Sequence, residues 1–299
     1  CKESKLDGVT VLHHDMFTSG IGYLRLLFDL ESVAEEDLPC LGLLRAVLGY
    51  MDTKHYGYRE LFNEIYIQTG GIATGLNVYS DVNDRRKYRA MFEVTAKTFY
   101  DRLDVTLGLV EEMLTETIFE DGKRLREIVA ENKSRAQMRL MSAGHLAAVQ
   151  RAASYFSETS RFGELTGGIA FYKYLEELDA HFEERKEETI ASLRRLTEQI
   201  FTADRLVVSY TANEEGFAGL QEHLPSFTKR LYDGGRPAAA RTFEAERKNE
   251  GFLSSSGVQY VAQCGNFCEA GFAYTGALKI LKSILSYDYL WIQLRVKGG

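Results

Sequence analysis

The residues of this chain that could do chemistry are scattered along it. His13 and His14 are adjacent, and neighbours on an extended segment point to opposite faces, so we expect both at the surface and not on one metal ion. The other histidines each lack a second histidine at ligand spacing, and we expect a structural role for all of them: His55, His145, His181 and His223. Neither His-Glu-x-x-His nor its inverse, His-x-x-Glu-His, occurs in the sequence, so no helix presents two imidazoles to one zinc ion.

The cysteines give a similarly weak signal. Cys264 and Cys268 have a spacing that two metal ligands could use. Structural zinc takes four ligands, however, and the nearest histidine is the distant His223, so we favour reduced, half-buried thiols. With Cys1 and Cys40 the chain has four cysteines, too few for a disulfide framework at this length, which favours a reducing compartment.

Other catalytic signatures are also absent from the sequence. It contains no G-x-S-x-G elbow and no C-G-x-C-W setting for a nucleophilic cysteine. The glycines of residues 70–75 lack the Lys-Ser/Thr of a phosphate loop. The acidic run EELDAHFEERKEE, residues 176–188, is typical of a solvated helix junction. From its own residues, the chain is predicted to hold no active site.

Composition excludes two classes of partner. The formal net charge is −7, and the basic cluster Arg85-Arg86-Lys87 is short and lies beside acids. Nucleic-acid binding needs clustered Lys and Arg to replace counterions, so we do not expect it. No apolar run approaches the ~20 residues of a membrane span, and nothing at the N-terminus resembles a signal peptide. We therefore expect a soluble chain that binds neither nucleic acid nor membrane.

The elements that must position any site follow from hydrophobic periodicity. Residues 21–30 alternate between apolar and polar, which predicts a strand with one buried face. The leucines from Leu38 to Leu48 recur every three or four residues and predict a helix. Residues 70–81 and 88–96 then predict two strands, joined by the polar turn DVNDRRK as an antiparallel hairpin.

The rest of the first part is mainly helical. One helix is predicted after Leu103, and a second runs from an N-cap at Asp121 to about Met141. Four more helices are predicted further on: 142–157, 169–180, the stretch around Ile190–Ile200, and a last one ending near Leu231. Arg205–Tyr210 is β-branched and predicts another strand. This order predicts an α+β fold, an antiparallel sheet with helices packed on one face.

The sequence also predicts a division into domains. Residues 1–232 form the first domain, and residues 233–250, with no clear period, form a linker. In 251–299, Val258, Tyr260, Ala262 and Cys264 alternate as a strand, and a helix follows over 278–285. We read this as the truncated start of a second copy of the first domain; the alternative is an appended subdomain.

Two blocks resemble a known family. AVLGYMDTKHYGYRELFNEIYIQTGGI, residues 46–72, and GALKILKSILSYDYLWIQLRVKGG, residues 276–299, are similar to the non-catalytic half of pitrilysin/insulinase-type zinc metallopeptidases, in the branch of presequence protease and falcilysin. The resemblance implies a fragment of a longer protein: the third of four homologous units and the start of the fourth.

The resemblance implies a function for the parent protein. Such oligopeptidases close two halves around an unfolded peptide, and the zinc ligands lie on the first unit, so we expect no zinc on this fragment and no activity from it alone. Its helix from Leu38 to Tyr50 would sit where the zinc helix sits, and GGIATGLNVYSD would match the substrate-edge strand. The implied partners are the N-terminal catalytic half and unfolded peptides, in a bacterial cytoplasm or an organelle matrix.

One site residue is implied by the same resemblance. In the family an Arg, and a Tyr six residues later, reach the substrate near the zinc; Arg295 matches the Arg, and the Tyr would fall beyond Gly299. From the residues alone, a surface arginine at a helix end is the simpler interpretation. The alternative function is a catalytically inactive structural homologue, such as a core subunit of a respiratory complex.

Overall fold

The computed structural model describes residues 1–84, 87–239, 243–253, 257–268 and 270–298. Arg85 and Arg86 of the basic cluster, residues 240–242 of the predicted linker, and residues 254–256, 269 and 299 of the predicted second domain lie outside the described residues. The chain divides into two compact units, Cys1–Ala262 and Gln263–Gly299. The sequence-based domain boundaries stay a prediction.

The first unit is built on a six-stranded sheet. Its strands, in chain order, are β1 (Lys2–Leu6), β2 (Val9–Asp15), β3 (Ile21–Asp29), β4 (Ile72–Ser80), β5 (Tyr88–Phe99) and β6 (Leu206–Ala212). Their order across the sheet is β1-β2-β6-β3-β5-β4. The strands predicted over 21–30, 70–81, 88–96 and 205–210 are all present, and β4 and β5 form the predicted antiparallel hairpin.

The sheet departs from the prediction at one pairing. β6 runs parallel to β2, whereas the other pairs between described strands are antiparallel. The physical reason is the connection: β6 follows a long helical crossover, so its direction is not set by a hairpin turn. The sheet is therefore mixed, although the α+β class holds.

The hairpin of β1 and β2 was not predicted. It turns at Asp7 and Gly8, whose φ angles are 49° and 84°. Two consecutive positive φ angles are the geometry of a type I′ turn, which Asp-Gly favours and which matches the twist of the flanking strands.

One face of the sheet carries the core, as the alternation in the sequence predicted. Leu24, Leu26 and Phe28 on β3 are at most 1% exposed, whereas Tyr23 on the opposite face is 42% exposed. Phe201 closes the core over β3 and β5, with ring centroids 5.2 Å from Phe28 and 5.0 Å from Phe92 in edge-on contacts.

Helices cover the core face. In the first unit they are α1 (Leu38–Val47), α2 (Tyr58–Gln68), α3 (Leu103–Thr115), α4 (Gly122–Ser142), α5 (Gly144–Ala153), α6 (Glu158–Gly167), α7 (Ile169–Ala180), α8 (Phe182–Ile200) and α9 (Glu214–Thr228). The acidic run does mark a junction, since α7 ends at Ala180 and α8 begins at Phe182. α2 was not predicted, because Leu61 is the only side chain that it buries fully.

α1 is the central helix and is apolar on nearly all sides. Seven of its ten residues are buried. At Gly42 a Cβ atom would lie 2.7 Å from the Thr166 carbonyl oxygen and 2.8 Å from Cε2 of Phe171. Glycine therefore permits the close approach of α6 and α7 to α1.

Residues 243–253 belong to the first unit and pack against the C-terminal end of α5. Glu250 accepts a 2.7 Å hydrogen bond from Nε of Arg151 on α5, and the Tyr155 hydroxyl also donates to it. The Glu246 amide donates to the Tyr155 carbonyl at 2.8 Å. The Arg151 contacts hold the pKa of the Glu250 carboxyl near 2, against the effect of partial desolvation. This part of the predicted linker is thus fastened to α5.

Two predictions are wrong. His13 is not at the surface: it is 1% exposed, its Nε2 lies 2.9 Å from the Ala212 carbonyl oxygen, and its ring stacks on Phe217. The strand predicted from Val258 to Cys264 does not form among the described residues. Alternation defines a face, but a strand also needs a ladder of backbone hydrogen bonds to a neighbouring strand, and the six-stranded sheet does not include this segment. The second unit instead holds α10 (Ala277–Ile284) and a π-helix, Leu285–Val296.

Candidate functional site

A groove of about 520 Å³ opens where the end of α1, the inner face of α2, the start of β4 and the middle of α4 meet. Two of these elements, α1 and β4, are the helix from Leu38 and the strand of residues 70–81 that the family resemblance singled out. Phe62 and Tyr66, one turn apart on α2, line it and are 60% and 79% exposed. Exposed aromatic side chains in a concave site are typical of ligand contact.

Two glycines shape the groove. Gly49 ends α1 with φ +82° and Gly71 precedes β4 with φ +109°, conformations that residues with a Cβ rarely adopt. Between them, the Gly70 amide donates to the Lys97 carbonyl at 2.7 Å and the Lys97 amide donates to the Gly71 carbonyl at 3.3 Å. This irregular pairing is a β-bulge that begins the strand at the groove wall.

Glu112 on α3 is hydrogen-bonded to the loop that connects α1 and α2. Glu112 accepts hydrogen bonds from the His55 amide at 2.8 Å and from the His55 ring Nδ1 at 2.9 Å. Desolvation opposes the charge on Glu112, but the hydrogen bonds from Thr53 and His55 outweigh it and lower its pKa. The groove is therefore framed by a rigid loop.

The groove has a basic character. Arg45, in the last turn of α1, lines it and is half-buried, yet its guanidinium forms no hydrogen bond or ion pair with the described residues. Burial, and then the charge of Arg139, lower its pKa, although an arginine stays protonated at any physiological pH. The other charged side chains of the lining, Glu131 and Arg135, pair with each other on α4. Arg45 is thus a cation facing the groove with its donors unused.

β4 forms an open edge of the sheet beside this groove. The odd-numbered residues of β4 form its backbone hydrogen bonds to β5. The two ends show this, because the Asp81 amide donates to the Lys87 carbonyl and the Gly71 carbonyl accepts from the Lys97 amide. The N–H and C=O groups of Ile72, Thr74 and Leu76 therefore point away from the sheet. No backbone hydrogen bond to them is found in the described part of the chain.

The sheet face opposite the helices carries a buried carboxylate. Glu93 on β5 is 4% exposed; Arg25 lies 3.3 Å from its Oε1, Tyr79 donates to its Oε2 at 3.2 Å, and Asn77 also donates to Oε2. Desolvation and this carboxylate raise the pKa of Tyr79. With its partners on β3 and β4, Glu93 holds neighbouring strands together.

The residues here do not fit a zinc ion. Among the residues that the structure describes, no group of three or more His, Cys, Asp or Glu side chains could hold a metal. Cys40 is buried, Cys264 is half-buried, and Cys1 and Cys268 are exposed. No described helix is both long and apolar enough to cross a bilayer.

Arg295 lies in the π-helix of the second unit and is exposed. It forms no ion pair with the described residues. Its proposed part in substrate binding stays a prediction.

Sequence reasoning missed Arg45, Phe62 and Tyr66. A signal for Arg45 was present, because it is the only charged residue in LPCLGLLRAV, the apolar stretch of α1. The aromatic pair has helical spacing, but α2 buries too little for its period to stand out.

Comparison with known proteins supplies the family. Residues 1–178 match the family described as "Peptidase M16C associated". The chain is 33% identical over its full length to Protein HypA of Clostridium perfringens and 26% identical, over 98% of its length, to presequence protease 1 of Arabidopsis thaliana. It spans only 30% and 27% of those proteins.

The solved structures show the same fold. A peptidase M16 inactive domain from Pseudomonas fluorescens superposes with a TM-score of 0.55, over 81% of this chain and 53% of that one, at 14% identity. A conserved protein from Enterococcus faecalis gives 0.54, over 79% of this chain and 53% of its own, at the same identity. At such identity the likeness concerns architecture.

Proposed function

The chain belongs to the peptidase M16C-associated family, and from this membership we propose that it is part of the non-catalytic half of a zinc-dependent oligopeptidase. The parent protein would enclose unfolded peptides between two halves, and this chain would shape the wall of the chamber. One observation carries the proposal: the similarity to the Arabidopsis presequence protease runs over 98% of the chain, through both compact units.

In this proposal the chemistry is divided between the two halves of the parent protein. When bound in the other half, zinc would supply a Lewis acid. The present chain would supply shape, hydrogen-bonding edges and positive charge. Its partners would be the N-terminal catalytic half of the same polypeptide and peptide substrates, in a bacterial cytoplasm or an organelle matrix.

Arg295 has the chemistry for a role at the substrate. As a peptide bond is attacked, negative charge develops on its carbonyl oxygen, and a preorganised cationic donor stabilises that charge strongly where water is scarce. A guanidinium offers fixed charge and several N–H donors. We assign Arg295 this part in the closed parent enzyme.

A structural homologue without activity, such as a core subunit of a respiratory complex, is the alternative. The parent gene distinguishes the two functions, since a peptidase needs His-x-x-Glu-His upstream of Cys1 and a scaffold does not.

The direct test is reconstitution. The chain is mixed with the separately produced N-terminal half, and cleavage of a quenched fluorescent peptide is followed. We expect cleavage only in the mixture, abolished by a chelator and restored by zinc. A mixture in which both halves are folded and associated, yet no peptide is cleaved, would contradict the proposal.

A further inference from the structure

We propose that the groove beside β4 binds an extended peptide as an added strand, with a carboxylate of that peptide held by Arg45. The inference rests on the proposed function and deepens it, because it names the class of peptide and the place on this half where the peptide would lie.

The open edge sets the form of the ligand. The outward N–H and C=O groups of Ile72, Thr74 and Leu76 alternate as donors and acceptors with the spacing of a strand, and no described backbone group pairs with them. Only a backbone in the extended conformation can satisfy such a row. The main-chain bonds would give affinity for peptides of many sequences.

Arg45 sets the charge of the ligand. Its guanidinium is half-buried, and Arg139 adds to the cost of the charge. Among the described residues that line the groove, the one carboxylate, Glu131, is already paired with Arg135. A carboxylate from outside would relieve this cation through charge-assisted, bidentate hydrogen bonds.

A hydrogen bond connects the edge strand to the backbone of Arg45. The Thr74 hydroxyl donates to the Arg45 carbonyl at 3.2 Å, and the backbone groups of Thr74 point outward. The carboxylate is therefore expected on the peptide residue that lies opposite Thr74, because its side chain points to the same face of the sheet as the Thr74 hydroxyl, and this fixes the register of the added strand. Phe62 and Tyr66 then face the neighbouring side chains of the peptide.

A second copy of this chain fits the site less well. In a symmetric pairing of β4 with β4, each Arg45 would meet the strand of the other copy, IATGLNVYS, which contains no acid. Both cations would then stay unpaired, at an electrostatic cost. The chemistry of the site favours a separate, acidic peptide.

The test uses fluorescence anisotropy on the 299-residue chain. The probe is a fluorescein-labelled peptide as long as β4, made of Ser, Thr and Val with one central Glu, and a second probe has Gln in place of that Glu. Two further probes carry backbone N-methyl groups on alternate residues, one on the odd and one on the even set. The protein variants are Arg45→Gln and, as a charge-matched control, Arg59→Gln, which removes an exposed arginine on α2.

We expect the Glu probe to bind about tenfold more tightly than the Gln probe, the scale of one charge-assisted hydrogen-bond pair, and this difference to vanish in Arg45→Gln but not in Arg59→Gln. One N-methyl set should abolish binding and the other should spare it, because only one set faces the edge. The inference would be overturned by equal binding of both N-methyl probes or by an unchanged Glu preference in Arg45→Gln. It would also be overturned by the absence of binding, or by a concentration-dependent dimer that excludes the probe. Cleavage by the reconstituted halves would stand in those cases, so the two proposals fail separately.

Discussion

The hydroxyl of Thr74 on the edge strand β4 donates to the backbone carbonyl of Arg45 in the last turn of α1, at 3.2 Å. This contact joins the open sheet edge beside the groove to α1, whose Arg45 guanidinium has no partner in the part of the chain that the structure describes. A helix and a strand that were predicted independently thus meet at this polar contact, and the groove opens around it.

Arg295 is expected to act in catalysis by the parent enzyme. Arg295→Ala should lower kcat/KM by about 10²-fold, the scale of one lost oxyanion-type donor, with zinc content unchanged. Lys297→Ala, two residues away in the same exposed turn, is the control and should have little effect. Normal turnover in Arg295→Ala would refute the assignment.

Gly42 is expected to tolerate no side chain. Gly42→Ala places a methyl group 2.7 Å from the Thr166 carbonyl oxygen, and overpacking of this kind costs about 1–3 kcal/mol of unfolding free energy. The matched control is Gly108→Ala in α3, where no atom lies within 4 Å of the added Cβ. This change should raise the free energy of unfolding by about 0.5–1 kcal/mol. Urea unfolding of both variants measures the difference, and equal effects would contradict the close packing of α1.

Glu250 is expected to fasten residues 243–253 down to strongly acidic pH. Its folded-state pKa is lowered to about 2, so its contribution is present above the unfolded pKa and is lost as pH falls through the folded one. Glu250→Gln should increase hydrogen exchange in this segment at neutral pH, whereas Glu244→Gln should not. Full protection in Glu250→Gln would show that other contacts hold the segment.

Glu112 is expected to stabilise the loop that frames the groove. Its pKa is lowered, because hydrogen bonds from Thr53 and His55 outweigh desolvation. Glu112→Gln should cost about 1.5–3 kcal/mol at pH 7, the scale of hydrogen bonds to a charged group. The cost should shrink as pH falls through the folded-state pKa, since the wild-type carboxylate is then protonated too. Chemical unfolding at pH 7 and pH 3, with Glu127→Gln as an exposed control, measures this.

Cys40 is expected to be chemically inert in the folded chain. Burial is the main cause that raises the pKa of its thiol to about 12, and thiol reagents attack the thiolate. Iodoacetamide at pH 8 should label Cys1 and Cys268, which are exposed, and should reach Cys40 only after denaturation. Rapid labelling of Cys40 in the native state would mean that α1 opens locally.

The periodicity of single segments predicted much of this fold. β3 alternates cleanly because one of its faces is buried, and α7 could be bounded from its own residues. Long-range relationships could not be predicted in this way. Nothing in the residues of β6 states that it lies between β2 and β3, or that it runs parallel to β2.

The groove likewise combines a feature visible in the local sequence with one that depends on long-range contacts. Arg45 is a lone charge in an apolar helix, a signal that the sequence reasoning did not use, and whether a partner neutralises it depends on α4, more than eighty residues later in the sequence. His13 was misplaced for a related reason. Its burial depends on Phe217 of α9, which local alternation cannot reveal.

The position of β6 bears on how the unit assembles. Residues 206–212 supply the strand between β2 and β3, so the segment matched by the family, which ends at residue 178, lacks the middle of its own sheet. A nascent chain that has reached only residue 178 would leave the facing edges of β2 and β3 without a neighbour, and non-local pairing of this kind slows folding and exposes the chain to aggregation. Truncation after residue 178 should therefore give an insoluble product, and the sheet closes only when synthesis has passed residue 212.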